Sequence, residues 1–183
     1  MTQTLLITGA STGIGAATAR AAAEAGWQVA LLARSQDELD SLAGEIGERA
    51  LALPCDVTDR AALNAAVDRA VDHFGGLDAV FANAGKGAAM TSLSDATPEE
   101  IADLIEINVT ALIQLVAATV PGMAARGRGH VVTLGSVAGL YATGAALYSA
   151  SKHAGRGPVR NMRLDQLGKG ERFTDIQAGR VRT

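Results

Sequence analysis

The sequence predicts an α/β fold in which helices cover both faces of a doubly wound parallel sheet, so that the molecule has three layers. Short apolar runs alternate with longer stretches of helical pattern along the 183 residues, the order expected when each strand is followed by a helix. The runs Leu5–Ile7 and Ala79–Phe81 are apolar without alternation, which is typical of strands buried on both faces. A glycine-rich turn directly after the first run is typical of the same fold class.

The alternation predicts six strands and five helices. The strands are expected at 4–8, 28–33, 50–55, 78–82, 129–135 and 172–177, and the helices at 13–25, 36–47, 59–74, 98–126 and 146–167. The fourth helix has a clear start signal, because Thr97 can cap it, Pro98 suits its first position and Glu100 completes a capping box. Because the candidate motifs stand at strand ends, we predict the strand order 3-2-1-4-5-6, with a ligand bound across the carboxyl ends of the strands.

The last predicted helix is the least regular. Gly155, Gly157 and Pro158 fall close together within it. Proline in a helix interior costs about 3 kcal/mol, and each glycine about 1 kcal/mol, relative to alanine. The local pattern therefore conflicts with an uninterrupted helix over this stretch.

Composition and charge exclude several classes of protein. With 48% hydrophobic and 19% charged residues, the chain is expected to form one globular domain over residues 1–183. Its net charge of −3 predicts no nucleic-acid partner, and the three histidines lack metal-ligand spacing, so no metal site is expected. No apolar run is judged long enough to span a membrane, so no membrane partner is expected. Because Cys55 is the single cysteine, no internal disulfide can form, and we expect a cytoplasmic protein.

A glycine-rich turn follows the first predicted strand. Its pattern, Gly9-x-x-x-Gly13-x-Gly15, lies between a strand and an alanine-rich helix, which is the context of a dinucleotide-binding fingerprint. Gly9 permits a sharp turn, while Gly13 and Gly15 let the backbone approach a pyrophosphate at the helix N-terminus. The pattern predicts a Rossmann-type NAD(P)-binding domain. The candidate cofactor contacts in this turn are Gly9, Ser11, Thr12, Gly13, Ile14 and Gly15.

The end of the second predicted strand bears on the choice of cofactor. An acidic residue there would bind the ribose 2′-hydroxyl of NAD, but Ala33 occupies the position and Arg34 follows it. Arginine favours a 2′-phosphate, so NADP(H) is predicted over NAD(H), with Arg34 and Ser35 as candidate contacts. The alternative is a solvated arginine at the start of a loop.

The end of the third predicted strand supplies two further candidates, Asp56 and Val57. Asp56 could accept a hydrogen bond from the adenine amino group. It could equally cap the helix that begins near Thr58 or Asp59. The sequence leaves both roles open.

Tyr148 and Lys152 are spaced to share one face of a helix. At that spacing the ammonium group can stabilise the phenolate form of the tyrosine. A phenol poised in this way can donate a proton to, or accept one from, a carbonyl/alcohol pair. A nucleotide bound at the glycine turn would supply the hydride for such a reaction.

Five motifs together resemble the short-chain dehydrogenase/reductase family, in its ordinary single-domain form, over residues 4–183. They stand in the order Thr8-Gly9-x-x-x-Gly13-Ile14-Gly15, Asn83-Ala84-Gly85, Asn108, Ser136 and Tyr148-x-x-x-Lys152. The resemblance implies an NADP-dependent oxidoreductase that interconverts a carbonyl and a secondary alcohol of a small-molecule substrate. It also implies a homodimer or homotetramer.

The resemblance further implies a role for each catalytic candidate. Tyr148 is the general acid in reduction and the base in oxidation, and Lys152 assists it and hydrogen-bonds the nicotinamide ribose. Ser136 hydrogen-bonds the substrate oxygen and steadies developing charge. Asn108 disturbs its helix and holds a water molecule that links Lys152 to solvent.

Two other segments are expected near the cofactor by the same resemblance. Asn83, Ala84 and Gly85 would support the glycine turn and let the chain pass close to the ligand. After the sixth strand the family usually has Pro-Gly and then Thr, whereas this chain has Ala178 in place of the proline. The candidate nicotinamide contacts in that segment are Gly179, Val181 and Thr183.

The end of the sequence departs from the resemblance. Family members usually continue into a substrate lid, a further helix and an edge strand, so we expect the physiological protein to exceed 183 residues and its extension to complete the substrate pocket. The competing hypothesis is a truncated or inactive nucleotide-binding or interaction protein of the same fold. The intact Ser136, Tyr148 and Lys152 favour the enzyme, and the missing lid favours the alternative.

Overall fold

Six parallel strands form one sheet in the order β3-β2-β1-β4-β5-β6 in the computed structural model, which describes residues 2–87 and 93–181. The strands are β1 (Thr4–Thr8), β2 (Gln28–Ala33), β3 (Ala50–Pro54), β4 (Ala79–Ala82), β5 (Gly129–Ser136) and β6 (Glu171–Ala178). The helices are α1 (Gly13–Glu24), α2 (Gln36–Ile46), α3 (Arg60–Phe74), α4 (Pro98–Ile105), α5 (Ala111–Ala125) and α6 (Ala146–Asp165). The predicted fold class and strand order are therefore confirmed.

Two clusters of buried apolar side chains hold the helices on opposite faces of the sheet. On one face, α1 and α2 pack through residues such as Ala19 and Leu39. On the other face, α3, α5 and α6 pack in the same way, for example through Leu115 of α5. Leu6 and Ile7 of β1 belong to opposite clusters, and both are fully buried. This two-sided burial is the reason that the strand sequence lacks polar alternation.

The first turn of α3 tests one of the two roles considered for Asp56, the capping role. Asp59 is the residue that caps the helix, because its carboxylate accepts hydrogen bonds from the backbone N–H groups of Ala61 and Ala62 at 2.9 and 3.0 Å. Asp56 instead accepts from the N–H and the hydroxyl of Thr58 at 3.0 and 2.8 Å, which closes a local turn before the helix. The capping role suggested for Asp56 is therefore wrong, since the carboxylate nearer to the helix meets its free N–H groups.

A π-helical turn, Glu106–Thr110, joins α4 to α5 where the sequence pattern predicts a single helix over 98–126. The predicted capping box is present at the start of α4, where Thr97 and Glu100 bond to each other's backbone N–H groups. π turns of this kind insert one extra residue per turn and often mark functional positions. Asn108 lies in the middle of this one and is buried.

The helical stretch Pro98–Ala125 is 28 residues long and, by length and composition alone, could cross a membrane. The statement that no apolar run reaches that length is therefore wrong. The core helix of a globular fold passes the same test. Here the α5 part of the stretch packs on the sheet through buried residues that include Leu115, Val120 and Met123.

Helix α6 is continuous through Gly155, Gly157 and Pro158. A Cβ atom on Gly155 would lie 3.4 Å from the Leu112 side chain and 3.6 Å from the Asn108 carbonyl oxygen, so the small residue lets α6 approach the π turn closely. Pro158 has no N–H to donate to the preceding turn. Buried Val159 packs in the core directly after it. Tertiary packing thus overrides the local preference against a helix.

Candidate active site

A groove of about 610 Å³ runs across the carboxyl ends of the strands. Most of its lining comes from the segments that directly follow β1, β2, β3 and β4, because parallel strands bring these segments to one edge of the sheet. The predicted cofactor residues that line the groove are Gly9, Ser11, Thr12, Gly13, Ile14, Arg34, Ser35, Asp56, Val57, Asn83, Ala84 and Gly85. We call this feature the strand-end groove.

The glycine turn is shaped by two close approaches of the backbone. Gly9 has a φ of 65°, a conformation that favours glycine, and a Cβ atom on it would lie 3.0 Å from the Ala84 Cα. A Cβ atom on Gly15 would lie only 2.1 Å from the Gly9 carbonyl oxygen and 2.7 Å from Asn83 Nδ2. Gly15 is buried behind the turn, so it positions α1 against the loop rather than lining the groove.

Thr8 and Asn83 join the glycine turn to the segment after β4. The buried Thr8 hydroxyl oxygen accepts hydrogen bonds from the backbone N–H groups of Asn83 and Ala84 at 3.1 and 3.0 Å. In return the Asn83 side-chain amide donates to the carbonyl groups of Thr8 and Gly9 at 2.9 and 3.1 Å. This reciprocal bonding gives the groove floor a fixed shape.

The far end of the groove brings Arg34 and Asp56 together. Arg34 is exposed at the end of β2, directly after buried Ala33. Hydrogen bonds from Thr58 and the charge of Arg34 hold the pKa of the Asp56 carboxyl below its usual value of 3.8, although partial burial opposes them. Cys55, beside Asp56, is buried, and that burial raises the pKa of its thiol.

Tyr148 and Lys152 lie on consecutive turns of α6, and the Lys152 Nζ atom lies 3.6 Å from where a Cβ atom on Gly85, a residue of the groove lining, would be. The Lys152 Nζ atom donates a hydrogen bond to the Leu134 carbonyl at 3.0 Å and lies 5.7 Å from the centre of the Tyr148 ring. Leu134 also lines the strand-end groove. Burial lowers the pKa of Lys152 from its ordinary value of 10.5, and the negative charge of Asp175 opposes this shift.

Ser136 ends β5 in a segment that is tied to α6. Its hydroxyl accepts a hydrogen bond from the Ala138 N–H at 3.1 Å. The Ser149 hydroxyl of α6 donates to the Ala138 carbonyl at 2.6 Å. A Cβ atom on Gly139 would lie 3.0 Å from the Lys152 carbonyl oxygen, so the segment packs directly against the helix. Ser136 is thereby held beside the turns that bear Tyr148 and Lys152.

The Asn108 side chain connects three parts of the site. Its Oδ1 accepts from the Lys86 N–H at 2.8 Å, and its Nδ2 donates to the Lys86 carbonyl at 2.9 Å. The same Nδ2 donates to the fully buried Ser151 hydroxyl at 3.0 Å, and this hydroxyl donates to the Tyr148 carbonyl at 2.8 Å. The π turn is the helix disturbance that the family resemblance implies for Asn108, and its water-holding role stays a prediction.

The predicted contacts after β6 are not brought to the groove in the same way. Gly179 and Val181 are exposed, beyond the end of β6 at Ala178, and do not line the groove in the part of the chain that is described. Thr183 lies outside the described residues. Contacts from this segment to a cofactor stay a prediction.

Sequence reasoning missed three residues that shape the site: Thr8, Lys86 and Ser151. In the sequence, Thr8 stands out only as part of the glycine motif. It is also a polar residue at the end of an apolar strand, and this position could have indicated a side chain that hydrogen-bonds to a neighbouring strand. Lys86 lines the groove, and its ammonium group forms an ion pair with Asp103 of α4. Ser151 lies inside the Tyr148–Lys152 motif, but only the position of the π turn shows what it contacts.

Comparisons with known proteins agree with this geometry. A family model described as short chain dehydrogenase matches residues 3–183. The chain is 38% identical over 182 residues to the glycine betaine reductase ATRR of Emericella nidulans, covering 97% of this chain but only 14% of that protein. It is 34% identical over 178 residues to the NADP-dependent 3-hydroxy acid dehydrogenase YdfG of Salmonella typhimurium, covering 97% of this chain and 72% of that protein.

Solved structures show the same fold. A short-chain dehydrogenase from Streptomyces avermitilis superimposes with a TM-score of 0.95 at 32% identity, over 100% of this chain and 68% of that one. A 3-ketoacyl-(acyl-carrier-protein) reductase from Brucella melitensis, complexed with NADH, gives 0.93 at 26% identity, over 97% of this chain and 75% of that one. The family match extends over nearly the whole sequence, and the motifs expected of it meet at one edge of the sheet, so the chain belongs to the short-chain dehydrogenase/reductase family of oxidoreductases.

Proposed function

We propose that the protein transfers hydride between NADP(H) and the carbonyl/alcohol pair of a small molecule, using Tyr148, Lys152, Ser136 and Asn108. One observation supports this most directly: the ammonium group of Lys152 is anchored on the carbonyl of Leu134, a residue that lines the strand-end groove. Lys152 therefore touches the boundary of the proposed cofactor groove at Leu134. Hydride transfer requires that juxtaposition.

The residues of the groove fit a dinucleotide. The groove volume of about 610 Å³ lies within the range of about 300–1,000 Å³ that is usual for small-molecule sites. A side chain on Gly9 would collide with Asn83 and Ala84, and a side chain on Gly15 would collide with the Gly9 carbonyl group and Asn83. This close backbone packing brings free N–H groups at the start of α1 toward the ligand, where they can bind phosphate.

Arg34 supports the choice of NADP(H) over NAD(H). It is exposed and lines the groove beside Asp56, and Ala33 leaves no carboxylate at the end of β2 to bind a free ribose 2′-hydroxyl. A guanidinium group can bind a 2′-phosphate through paired, charge-assisted hydrogen bonds.

The proposed mechanism divides the reaction between cofactor and protein. A nicotinamide cofactor held by the glycine turn and the segment after β4 would supply hydride in reduction and would accept hydride in oxidation. Tyr148 gives its phenolic proton to the carbonyl oxygen in reduction, and its phenolate accepts that proton in oxidation. The Ser136 hydroxyl donates a hydrogen bond to the same oxygen as negative charge develops there. The Lys152 ammonium group stabilises the phenolate.

Titration with both cofactors tests the proposed preference. We expect wild-type protein to bind NADPH more tightly than NADH, and Arg34→Ala to weaken NADPH binding roughly 10-fold or more while NADH binding changes little. Arg69→Ala is the matched control, because Arg69 is exposed on α3 and does not line the groove. A wild-type preference for NADH, or an unchanged preference in Arg34→Ala, would contradict the proposal.

Turnover separates the enzyme from an inactive nucleotide-binding protein of the same fold. The substrate panel should include a 3-hydroxy acid, since the relative YdfG bears that name, together with simple secondary alcohols and ketones. NADPH binding without turnover of any of them would favour the inactive alternative. A cytoplasmic location and a homo-oligomeric state belong to the same proposal, and the single buried cysteine supports the former.

A further inference from the structure

A polar cluster lies between β5, β6 and α6, on the face of the sheet that α6 covers. Thr133 and Asp175 are paired in the register of the two strands, and the Thr133 hydroxyl donates to Asp175 Oδ1 at 3.0 Å. The Gln177 side-chain amide donates to Asp175 Oδ2. Arg156 Nε of α6 lies 3.6 Å from the same oxygen. The Asp175 side chain is only 10% exposed, so this is a charged group inside the fold.

Gly135 makes room for the carboxylate. A Cβ atom on this residue would lie 2.6 Å from Asp175 Oδ1 and 2.5 Å from Gln177 Nε2. The two side chains of β6 therefore lie across the glycine of β5. Gly135 directly follows Leu134, the residue whose carbonyl binds Lys152.

A small cavity connects the cluster to Lys152. It has a volume of about 30 Å³, and its walls include Lys152, Asn108, Thr133, Arg156 and Asp175. A cavity of this size with polar walls has room for a water molecule. Lys152 and Asp175 therefore both line a space in which water can bridge them.

Among the charged groups near Lys152, one carboxylate can act as its counter-ion. Tyr148 and Arg156 flank it on α6, and the ammonium group of Lys86, from the segment after β4, is paired with Asp103 of α4. Of the described residues that line the small cavity, Asp175 is the only one with a carboxylate.

We propose that Asp175 is the buried counter-ion that keeps Lys152 charged, and that Arg156 controls how much of the Asp175 charge reaches it. Both are positioning residues, since they act through Lys152, and the inference rests on the proposed role of Lys152 in the reaction. Burial lowers the pKa of Lys152 and the Asp175 charge raises it. A lysine in this position needs such an anion if it is to stay protonated while the neighbouring phenol exchanges its proton.

The test measures the titration of Lys152 directly, in protein without cofactor, by ¹³C NMR of the lysine side chains assigned with Lys152→Arg. We expect Asp175→Asn to move the Lys152 titration to lower pH, because an attractive charge is lost. We expect Arg156→Gln to move it to higher pH, because a competing positive charge is lost. Asp165→Asn and Arg160→Gln, exposed charges on the same helix, are the matched controls and should leave it in place.

The opposite signs distinguish the proposal from a structural role. Damage to packing would move the Lys152 titration in the same direction in Asp175→Asn and in Arg156→Gln, and that result would overturn the proposal. A Lys152 titration that does not move in Asp175→Asn would also overturn it. If Asp175→Asn does not fold, Arg156→Gln decides, and the absence of an upward shift overturns it.

A second measurement separates this inference from the proposed function. NADPH affinity is measured as a function of pH in the Tyr148→Phe variant, which has no phenol at position 148 to titrate. We expect the affinity to fall as Lys152, the proposed ribose contact, loses its proton. Asp175→Asn should move that loss of affinity to lower pH. Failure of every variant to bind NADPH would contradict the proposed function, while the NMR titration would still test the counter-ion.

Discussion

At the scale of single residues, one buried hydroxyl joins the two halves of the candidate site. Ser151 accepts a hydrogen bond from Asn108 in the π turn and donates one to the Tyr148 carbonyl, at 3.0 and 2.8 Å. Asn108 in turn bonds both backbone groups of Lys86, which lines the groove. Because buried polar groups are costly when unpaired, this chain of bonds sets the positions of α6 and the groove wall together.

We expect Tyr148→Phe to lower turnover by a factor of about 10²–10⁴, which is the usual contribution of general acid–base catalysis. Phenylalanine keeps the ring packing and removes only the hydroxyl, so NADPH affinity should change little. The measurement is steady-state kinetics with cofactor titration on the same samples. Tyr141→Phe is the matched control, since Tyr141 is 69% exposed and should keep full activity. Substantial turnover in Tyr148→Phe would rule out the proposed proton donor.

At the scale of elements, the placement of α1 depends on how closely it approaches the end of β1. Gly15 lies in the first turn of α1, and the Gly9 carbonyl oxygen occupies the place where a Cβ atom would be. The same contact aligns the helix N-terminus with the groove. Close packing of helix and turn, rather than a special φ angle, is therefore the reason for glycine at this position.

We expect Gly15→Ala to lower the free energy of unfolding by about 1–3 kcal/mol and to abolish saturable NADPH binding, because α1 must move away from the turn. Urea unfolding and cofactor titration measure the two effects. Gly44→Ala is the matched control: Gly44 lies in α2 with open space around its Cα, so alanine should stabilise the protein by up to about 1 kcal/mol. Normal cofactor binding by Gly15→Ala would show that the turn tolerates a side chain.

At the scale of the whole molecule, the fold buries the charged ammonium group of Lys152, and this burial lowers the free energy of unfolding. Lys152 lies between α6 and the sheet, and its pKa is lowered from 10.5 by that burial. Between the lowered pKa of the folded protein and 10.5, the unfolded chain binds more protons than the folded one. The free energy of unfolding therefore rises with pH across that window. At pH values below the window, the buried charge of Lys152 lowers the stability by its full amount.

We expect the stability of wild-type protein relative to Lys152→Met to increase as the pH rises from 7 toward 10.5, because the buried lysine loses its charge. Urea unfolding of both proteins at matched pH values measures the difference. The same comparison with Lys169→Met, at an exposed lysine, is the matched control. A difference that falls with pH would mean that the folded protein favours the charged form of Lys152.

The sequence by itself determined the strands, their order and the edge of the sheet at which the groove lies. Apolar runs such as Leu5–Ile7 and the capping box at Thr97 are local signals, since burial on two faces and free N–H groups constrain neighbouring residues directly. The glycine turn and the Tyr148–Lys152 spacing are local in the same sense. For that reason the strand order, and the meeting of the motifs at the strand ends, could be predicted.

Only the tertiary structure decided which distant side chains meet. Asp59 rather than Asp56 caps α3, and Gly155 lies in a continuous helix because α6 packs against the π turn, 47 residues back along the chain at Asn108. Asp175 is an ordinary strand residue in the sequence, and it lines the same small cavity as Lys152 only because β5 and β6 are neighbours beneath α6. Such contacts depend on packing between elements. The free energy of that packing outweighs the helix and strand propensities of single residues, on which a sequence-based prediction relies.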